Sequence, residues 1–376
     1  KYIAFYTFAA VPLFIMMGVV LYNTGIASDL FYSAYKWIGQ LPAGLAISGA
    51  IAAAILGVVT DSLVAVTTLG KAAVPEMRKY SYDDSMATSS IVAGASLASL
   101  IPPSIGFILY GILTEQSVGK LFMAAIIPGI VLTGLMTFTI VIRGRINPRL
   151  APPGPKTSFK EKMLSLKYTW AAGLLILLVI AGIYAGVFTP TEAGGVGAFG
   201  AIVIAAVSRR LTFKILRDSL KEATEVTAMV VILMMGAFIF MKFLAISKLS
   251  FVLGDVMSQL TVSRYVIFAG IMFLYLILGM FTEIVSSIIL TMPVIYPIIV
   301  ALGFDPIWFG VVVVTVIELG FITPPIGMNV FILSGITGIP IETVFRGVWP
   351  FVATILIFIV VLTIFPEIAL FLPGTM

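Results

Sequence analysis

Cysteine and histidine are both absent from these 376 residues. Without cysteine there is no disulfide, no thiolate nucleophile and no thiolate metal site. Without histidine, the commonest general base and transition-metal ligand is missing as well. Charge is scarce: Asp, Glu, Lys and Arg make up 10% of the chain, against 60% hydrophobic residues. A mean hydropathy of +1.16 is not that of a soluble domain. It calls for several bilayer-spanning helices, each needing about 20 apolar residues. No loop ending in Gly-Lys-Ser/Thr occurs, so the chain does not hydrolyse ATP itself. The pI of 9.3 would suit nucleic acid, but the basic residues cluster at the ends of apolar stretches, the positive-inside pattern of a membrane protein. The chain opens at Lys1 and almost at once becomes apolar, without signal-peptide architecture, so further residues are expected upstream.

What is present is a repeat. Pro75, Pro102, Pro103 and Pro128 recur 222 positions later as Pro297, Pro324, Pro325 and Pro350. The same offset pairs Gly57 with Gly279, Thr60 with Thr282, Asp83 with Asp305, and one acid, Asp61, with another, Glu283. In so apolar a chain this predicts a transporter made of two related halves, 1–142 and 226–376. Between them, 143–225 holds a cytoplasmic linker, a connecting helix pair and a surface helix.

In the first half a span is expected over 5–22 and an interfacial stretch over 28–40. Residues 43–75 are apolar but interrupted at Gly57–Ser62, where an uncompensated acid in lipid would be costly. A re-entrant hairpin, two short arms meeting at a polar tip, fits best. Residues 84–114 are broken at Ile101-Pro102-Pro103-Ser104, since two prolines remove two N–H donors and push the preceding residue out of helix. Two half-helices around an unwound joint follow, then a span at 121–142. The connector 143–167 has seven Lys/Arg against one acid, Glu161, and a Pro-rich centre at 151–155, predicting a solvated cytoplasmic linker. Spans at 169–188 and 193–207 and a charged surface helix at 212–225 complete the middle. The second half predicts a span at 226–245, an interfacial stretch at 247–262, a hairpin at 264–299, a helix over 307–333 broken at Thr323-Pro324-Pro325, and a span at 347–365. With hairpins counted as zero crossings, each half crosses three times, so the second is inverted. Of the 22 Lys/Arg, only Lys1, Lys120, Lys242, Lys248 and Arg264 then miss the cytoplasmic side. The predicted fold is an all-α polytopic membrane protein of two inverted repeats, each with a re-entrant helical hairpin and a broken transmembrane helix.

Joints and tips are where unsatisfied backbone should lie deep in the membrane, which is tolerated only inside protein or along a water-filled cavity. Freed carbonyls suit Na⁺, and half-helix N-termini suit a substrate carboxylate. The expected Na⁺ set is Thr60, Asp61, Ser62, Pro102, Ser104, Gly279, Thr282, Glu283, Thr323 and Gly327. The expected carboxylate set is Ser62, Ser104, Pro103, Pro325 and Asn329. The structural alternatives are plain kinks for the prolines, backbone bonds for the hydroxyls and buried helix caps for the two acids. Glu318, one turn before the second joint, could reach the cavity or bond another helix. No Lys or Arg lies near either tip in sequence, which leaves Na⁺ as the natural partner of the acids and H⁺ as the alternative. A passive channel would need polar rings along a continuous pore. An intramembrane enzyme would need a catalytic motif, and none adjoins either acid.

Several motifs carry a likeness. Val74-Pro75-Glu76-Met77, Leu100-Ile101-Pro102-Pro103-Ser104, Phe188-Thr189-Pro190-Thr191-Glu192-Ala193 and the run Glu318–Gly327, in that order along the chain, resemble the large membrane subunit of the tripartite ATP-independent periplasmic (TRAP) transporters. The resemblance implies Na⁺-driven uptake of organic acids, an elevator-like moving domain as in the ion-transporter superfamily, and a bacterial or archaeal cytoplasmic membrane. It also implies a small membrane subunit and a periplasmic substrate-binding protein, which would largely choose the substrate. The family's large subunit usually begins with a further helix, which the given residues lack. The first tip reads Thr60-Asp61-Ser62 where the family usually has Ser-Gly-Ser, and Glu283 stands where the second tip usually has Asp; either acid could carry a proton. In an elevator, hairpins and broken helices would move together against a scaffold of 5–22, 169–207, 226–245 and the interfacial stretches.

Overall fold

The structure is a computed structural model describing residues 6–60, 62–154, 157–247 and 262–376. The expectations for Asp61, and for nearly all of 247–262, fall outside the described residues. No strand occurs among those described. The first half runs α1 (Ala10–Asn23), α2 (Ile26–Ile38), α3 (Gly44–Val59), α4 (Ser62–Lys79), α5 (Asp84–Ala95), α6 (Ile105–Thr114) and α7 (Val118–Ile146). Helices α8 (Phe159–Tyr184) and α9 (Pro190–Val207) join it to the second half. That half runs α10 (Phe213–Ser247), α11 (Arg264–Phe281), α12 (Ile284–Ala301), α13 (Pro306–Gly320), α14 (Met328–Thr337), α15 (Ile341–Ile364) and a short α16 (Glu367–Leu370).

The 222-residue offset is visible as physics. Asp83 caps α5 by accepting from the Ser85 N–H, and Asp305 caps α13 by accepting from the N–H groups of Ile307 and Trp308. Such caps satisfy donors that a helix start leaves orphaned. Thr60 closes α3 by donating its hydroxyl to the Leu56 carbonyl at 2.9 Å, and Thr282 closes α11 on Leu278 at 2.9 Å. Both proline pairs are cis. Small residues set the approach of hairpin to broken helix in both halves: a Cβ on Gly57 would overlap the Ala98 side chain, and one on Gly279 would overlap the Ile317 carbonyl oxygen. Gly320, the offset partner of Ala98, faces Gly279.

The half-helices before the joints, α5 and α13, are buried along all but their first residue. A helix surrounded by protein needs no polar face. Among the hydroxyls of α5, those of Thr88, Ser89 and Ser90 turn onto its own backbone, donating to Asp84, Met86 and Ala87. The halves also interlock. Return arm α4 packs on α14, and return arm α12 packs on α6, so each hairpin seats on the other half's distal half-helix. Elsewhere α1 lies against α9 and α10, α8 lies against α9, and α2 bridges α8 to the outgoing arm α3.

Several expectations need correction. The surface helix at 212–225 and the span at 226–245 are one continuous helix, α10, because no Pro or Gly interrupts its first 23 residues. The connector is not a free solvated linker. Ala151 is buried and accepts from the Ala43 N–H at 3.2 Å, Gly154 N–H donates to Gly39 at 3.0 Å, and the Thr157 hydroxyl donates to Lys36 at 2.6 Å. Arg143, counted there as an orientation signal, is one of two cations in the last turn of α7, with Arg145. It donates to Ser89 Oγ at 3.0 Å and to the Gly347 carbonyl at 2.8 Å, lying over the Phe351 ring. It thereby ties α7 to α5 and α15.

Candidate functional site

Between the hairpin–joint unit and helices α1 and α10 lies a cavity of about 230 Å³. Its inner wall is Gly57, Val58 and Thr60 from the first tip, Pro103, Ser104, Ile105 and Gly106 from the first joint, and Glu283, Ile284 and Val285 from the second tip. The outer wall is Phe14 to Tyr22 of α1 and Glu222, Val226, Met229 and Val230 of α10.

Helices α11 and α12, at 18 residues each, are about 27 Å long and could cross a bilayer by length alone. Their tip instead meets Ser104, at the middle of the broken span α5–α6, and so sits at depth. This matches a re-entrant hairpin.

Two helices begin at the cavity. Ser104 is the N-cap residue of α6 and Glu283 that of α12, yet neither side chain caps a backbone N–H. The first N–H groups of both helices, with their partial positive charge, are therefore turned to a common space that suits an anion. One helix, α3, ends there, bringing its partial negative end and the Thr60 carbonyl region to the same wall. Among the described lining residues, the ionisable ones are Tyr22, Glu222 and Glu283, with no Lys or Arg. Glu283 Oε1 accepts from the Ser286 hydroxyl at 3.2 Å, and Thr282 and Ser287 share a hydroxyl contact of 2.6 Å beside it. The cap alternative for Glu283 thus holds for position and not for hydrogen bonding.

Not every expected residue meets here. Thr60, Pro103, Ser104 and Glu283 line the cavity, with Thr282 next to it in sequence. Ser62 and Asn329 are fully buried behind it and bond each other, Asn329 Nδ2 donating to Ser62 Oγ at 2.7 Å. This joins the first return arm to the second joint, so two of the five residues expected at the carboxylate are paired with each other within protein. Asn329 Oδ1 is buried without a hydrogen-bond partner. The Thr323 hydroxyl donates to Leu319 at 2.6 Å, and Pro325 and Gly327 stand at the second joint, outside the cavity lining. Pro102 is buried in the first joint, and Gly279 packs on Ile317. Glu318 is buried in α13 and does not line the cavity.

Reasoning from sequence missed Ser99, Tyr22 and the α10 face. The last was legible: Glu222, Val226, Met229 and Val230 recur at i, i+4, i+7 and i+8, one stripe of one helix. Near the same end of the scaffold, Asp29 pairs with Arg210 at 2.7 Å. Burial pushes the Asp29 carboxyl above its usual range, and the Arg210 guanidinium pulls it back.

Residues 3–368 match the family described as "Tripartite ATP-independent periplasmic transporter, DctM component". The chain is 31% identical, over 98% of its length and 86% of the relative's, to the C4-dicarboxylate TRAP transporter large permease protein DctM of Pseudomonas aeruginosa. It is 32% identical to the 2,3-diketo-L-gulonate TRAP transporter large permease protein YiaN of Escherichia coli, over 96% of this chain and 85% of that one. It is 31% identical to the sialic acid TRAP transporter large permease protein SiaM of Vibrio cholerae, over 98% and 86%. In fold it resembles the YdaH transporter of Alcanivorax borkumensis, with a TM-score of 0.64 at 17% identity, covering 97% of this chain and 85% of that one. These relatives are transport proteins and not enzymes, and the match runs through both tips and both joints. The chain belongs to the DctM family, the large permeases of the tripartite ATP-independent periplasmic transporters.

Proposed function

We propose that this chain imports a small carboxylate into the cell by Na⁺-coupled secondary transport across the cytoplasmic membrane. It receives the acid from a periplasmic binding protein and works beside a small membrane subunit. One observation carries the reading: two helix N-termini, α6 and α12, and one helix C-terminus, α3, converge on a single cavity at the hairpin tips. The N-termini offer backbone N–H groups to a carboxylate, and the C-terminus with Thr60 offers oxygens to a hard cation. At about 230 Å³ the space is smaller than the ~300–1,000 Å³ of drug-sized pockets. It favours an acid of a few carbons, such as the C4-dicarboxylates named for the Pseudomonas relative.

Two carboxylates and no basic residue among the described lining residues would repel an anionic cargo. A co-bound cation offsets that repulsion, which ties cargo to ion physically. The Glu283 carboxylate on the wall also supports a second reading, in which H⁺ replaces Na⁺. Helices α1 and α10 belong to the scaffold in this account, and the tips and joints travel past them as an elevator.

The test is uptake into proteoliposomes holding this chain, its small subunit and a matching binding protein. C4-dicarboxylate, 2,3-diketogulonate and sialic acid are each offered under imposed Na⁺ or pH gradients. Concentrative uptake of one of them that collapses with the Na⁺ gradient is expected. Collapse with the pH gradient alone selects the proton reading. Flux that only equilibrates, whatever the gradient, refutes coupled transport.

A further inference from the structure

The cavity runs from the hairpin tips to Tyr22 and Glu222. That end lies beside Arg209, Arg210, Lys214, Arg217 and Lys221, the basic end of the scaffold helices and hence its cytoplasmic end by charge bias. The carboxylate at this mouth is held in place. Asn23 Nδ2 donates to Glu222 Oε2 at 3.0 Å and to Ser219 Oγ at 3.1 Å, so both N–H bonds of the amide lock the end of α1 onto α10. The positioning amide has no counterpart in the second half. The offset that equates the halves pairs Tyr22-Asn23 with Leu244-Ala245, an apolar pair in sequence.

We propose that Glu222, positioned by Asn23, is an anionic lip at the cytoplasmic mouth, a residue that determines which charges enter the cavity from inside the cell. It repels small carboxylates at the mouth and attracts cations, a barrier that an anion meets on entering and on leaving alike. Coulomb repulsion between unit charges falls as 1/r and is weakened by water. At about 8–10 Å across water at low ionic strength, the condition of the test below, a single carboxylate changes the local preference for cation over anion by about fivefold. The inference rests on the cavity being the transport route. It does not depend on which ion is coupled.

The absence of cysteine makes the test direct, because an introduced thiol is the chain's only one. Val226→Cys lies one turn deeper than Glu222 on the same face of α10. It is reacted at low ionic strength, in inside-out vesicles holding the assembled transporter, with a cationic trimethylammonioethyl and an anionic sulfonatoethyl methanethiosulfonate. Met229→Cys serves as a second reporter in case the first does not fold. The cationic reagent should react faster. Adding Glu222→Gln should cut the cation-to-anion rate ratio about fivefold, and Glu222→Asp should keep most of it. Asn23→Ala, which frees the carboxylate without removing its charge, should lower the ratio by less than Glu222→Gln does. A ratio that Glu222→Gln leaves unchanged at both reporters overturns the proposal. So does a thiol that reacts solely from the outer face. A shifted ratio in a transporter whose uptake ignores the Na⁺ gradient would keep the lip and sink only the Na⁺ coupling.

Discussion

Replacing Gly279 by alanine should unseat the second hairpin from its broken helix. A Cβ there would overlap the Ile317 carbonyl oxygen and stand 3.0 Å from Ile317 Cα. Both atoms are backbone, so no side-chain rotation relieves the clash and the two helices must part. Overpacking of this kind costs about 1–3 kcal/mol, and a backbone obstacle places this site at the upper end. Unfolding temperatures shift by about 2–4 °C per kcal/mol in chains of a few hundred residues, so a fall of about 5–10 °C is expected. Thermal scanning of the detergent-solubilised protein reads it, with Gly134→Ala as control, since nothing lies within 4 Å of a Cβ at Gly134. That control should melt at or slightly above the parent temperature, because alanine suits a helix better than glycine. Gly320→Ala attacks the same contact from the other side, its Cβ falling 2.7 Å from Gly279 Cα. The two losses should therefore be less than additive in the double variant. If Gly279→Ala melts with Gly134→Ala, the close approach of α11 to α13 is wrong, and with it the seating of the tip.

Other residues give independent checks. Arg143→Met should lower the melting temperature by removing the bonds to Ser89 and Gly347, a loss of about 2–4 kcal/mol for charge-assisted bonds in a half-buried place; a parental melting curve would refute that tie. Asn329→Leu strands the buried Ser62 hydroxyl and should cost about 1–3 kcal/mol, while adding Ser62→Ala should recover part of it in a double-mutant cycle. Glu283→Gln keeps the shape of the second tip but removes its charge, so uptake should change in Na⁺ or pH dependence while the melting curve stays near that of the parent. Unchanged dependence on both would make Glu283 a structural residue.

The prolines and the offset were enough to place both hairpins and both joints, because proline and an isolated acid act locally on the backbone. The α10 continuity was hidden for the opposite reason. Lys214, Arg217, Asp218 and Lys221 look like a solvated helix by composition, and only the absence of a breaker shows that the charged and apolar parts share one axis. The site was half legible. Thr60, Ser104 and Glu283, singled out by the tips and the first joint, line the cavity. Ser62 and Asn329, expected on the same wall, bond each other, because a hydroxyl or amide near a joint can face a cavity or another helix, and a 267-residue separation along the chain hides which. Asn23 and Glu222, far apart in sequence, one matched by the offset to an alanine and the other outside both halves, carried no pairing signal at all.

In the proposed function, the space between the two tips, the first joint and helices α1 and α10 holds the cargo. Ser104→Cys would place the chain's one thiol at the N-terminus of α6 on that space. Its labelling rate by a small membrane-impermeant thiol reagent is then measured with and without whichever acid the proteoliposomes accumulate, in the presence of Na⁺. The account predicts that the acid slows labelling at position 104, and that the same acid leaves a Gly134→Cys control unchanged. Labelling at 104 that proceeds at one rate with or without transported acid would contradict it.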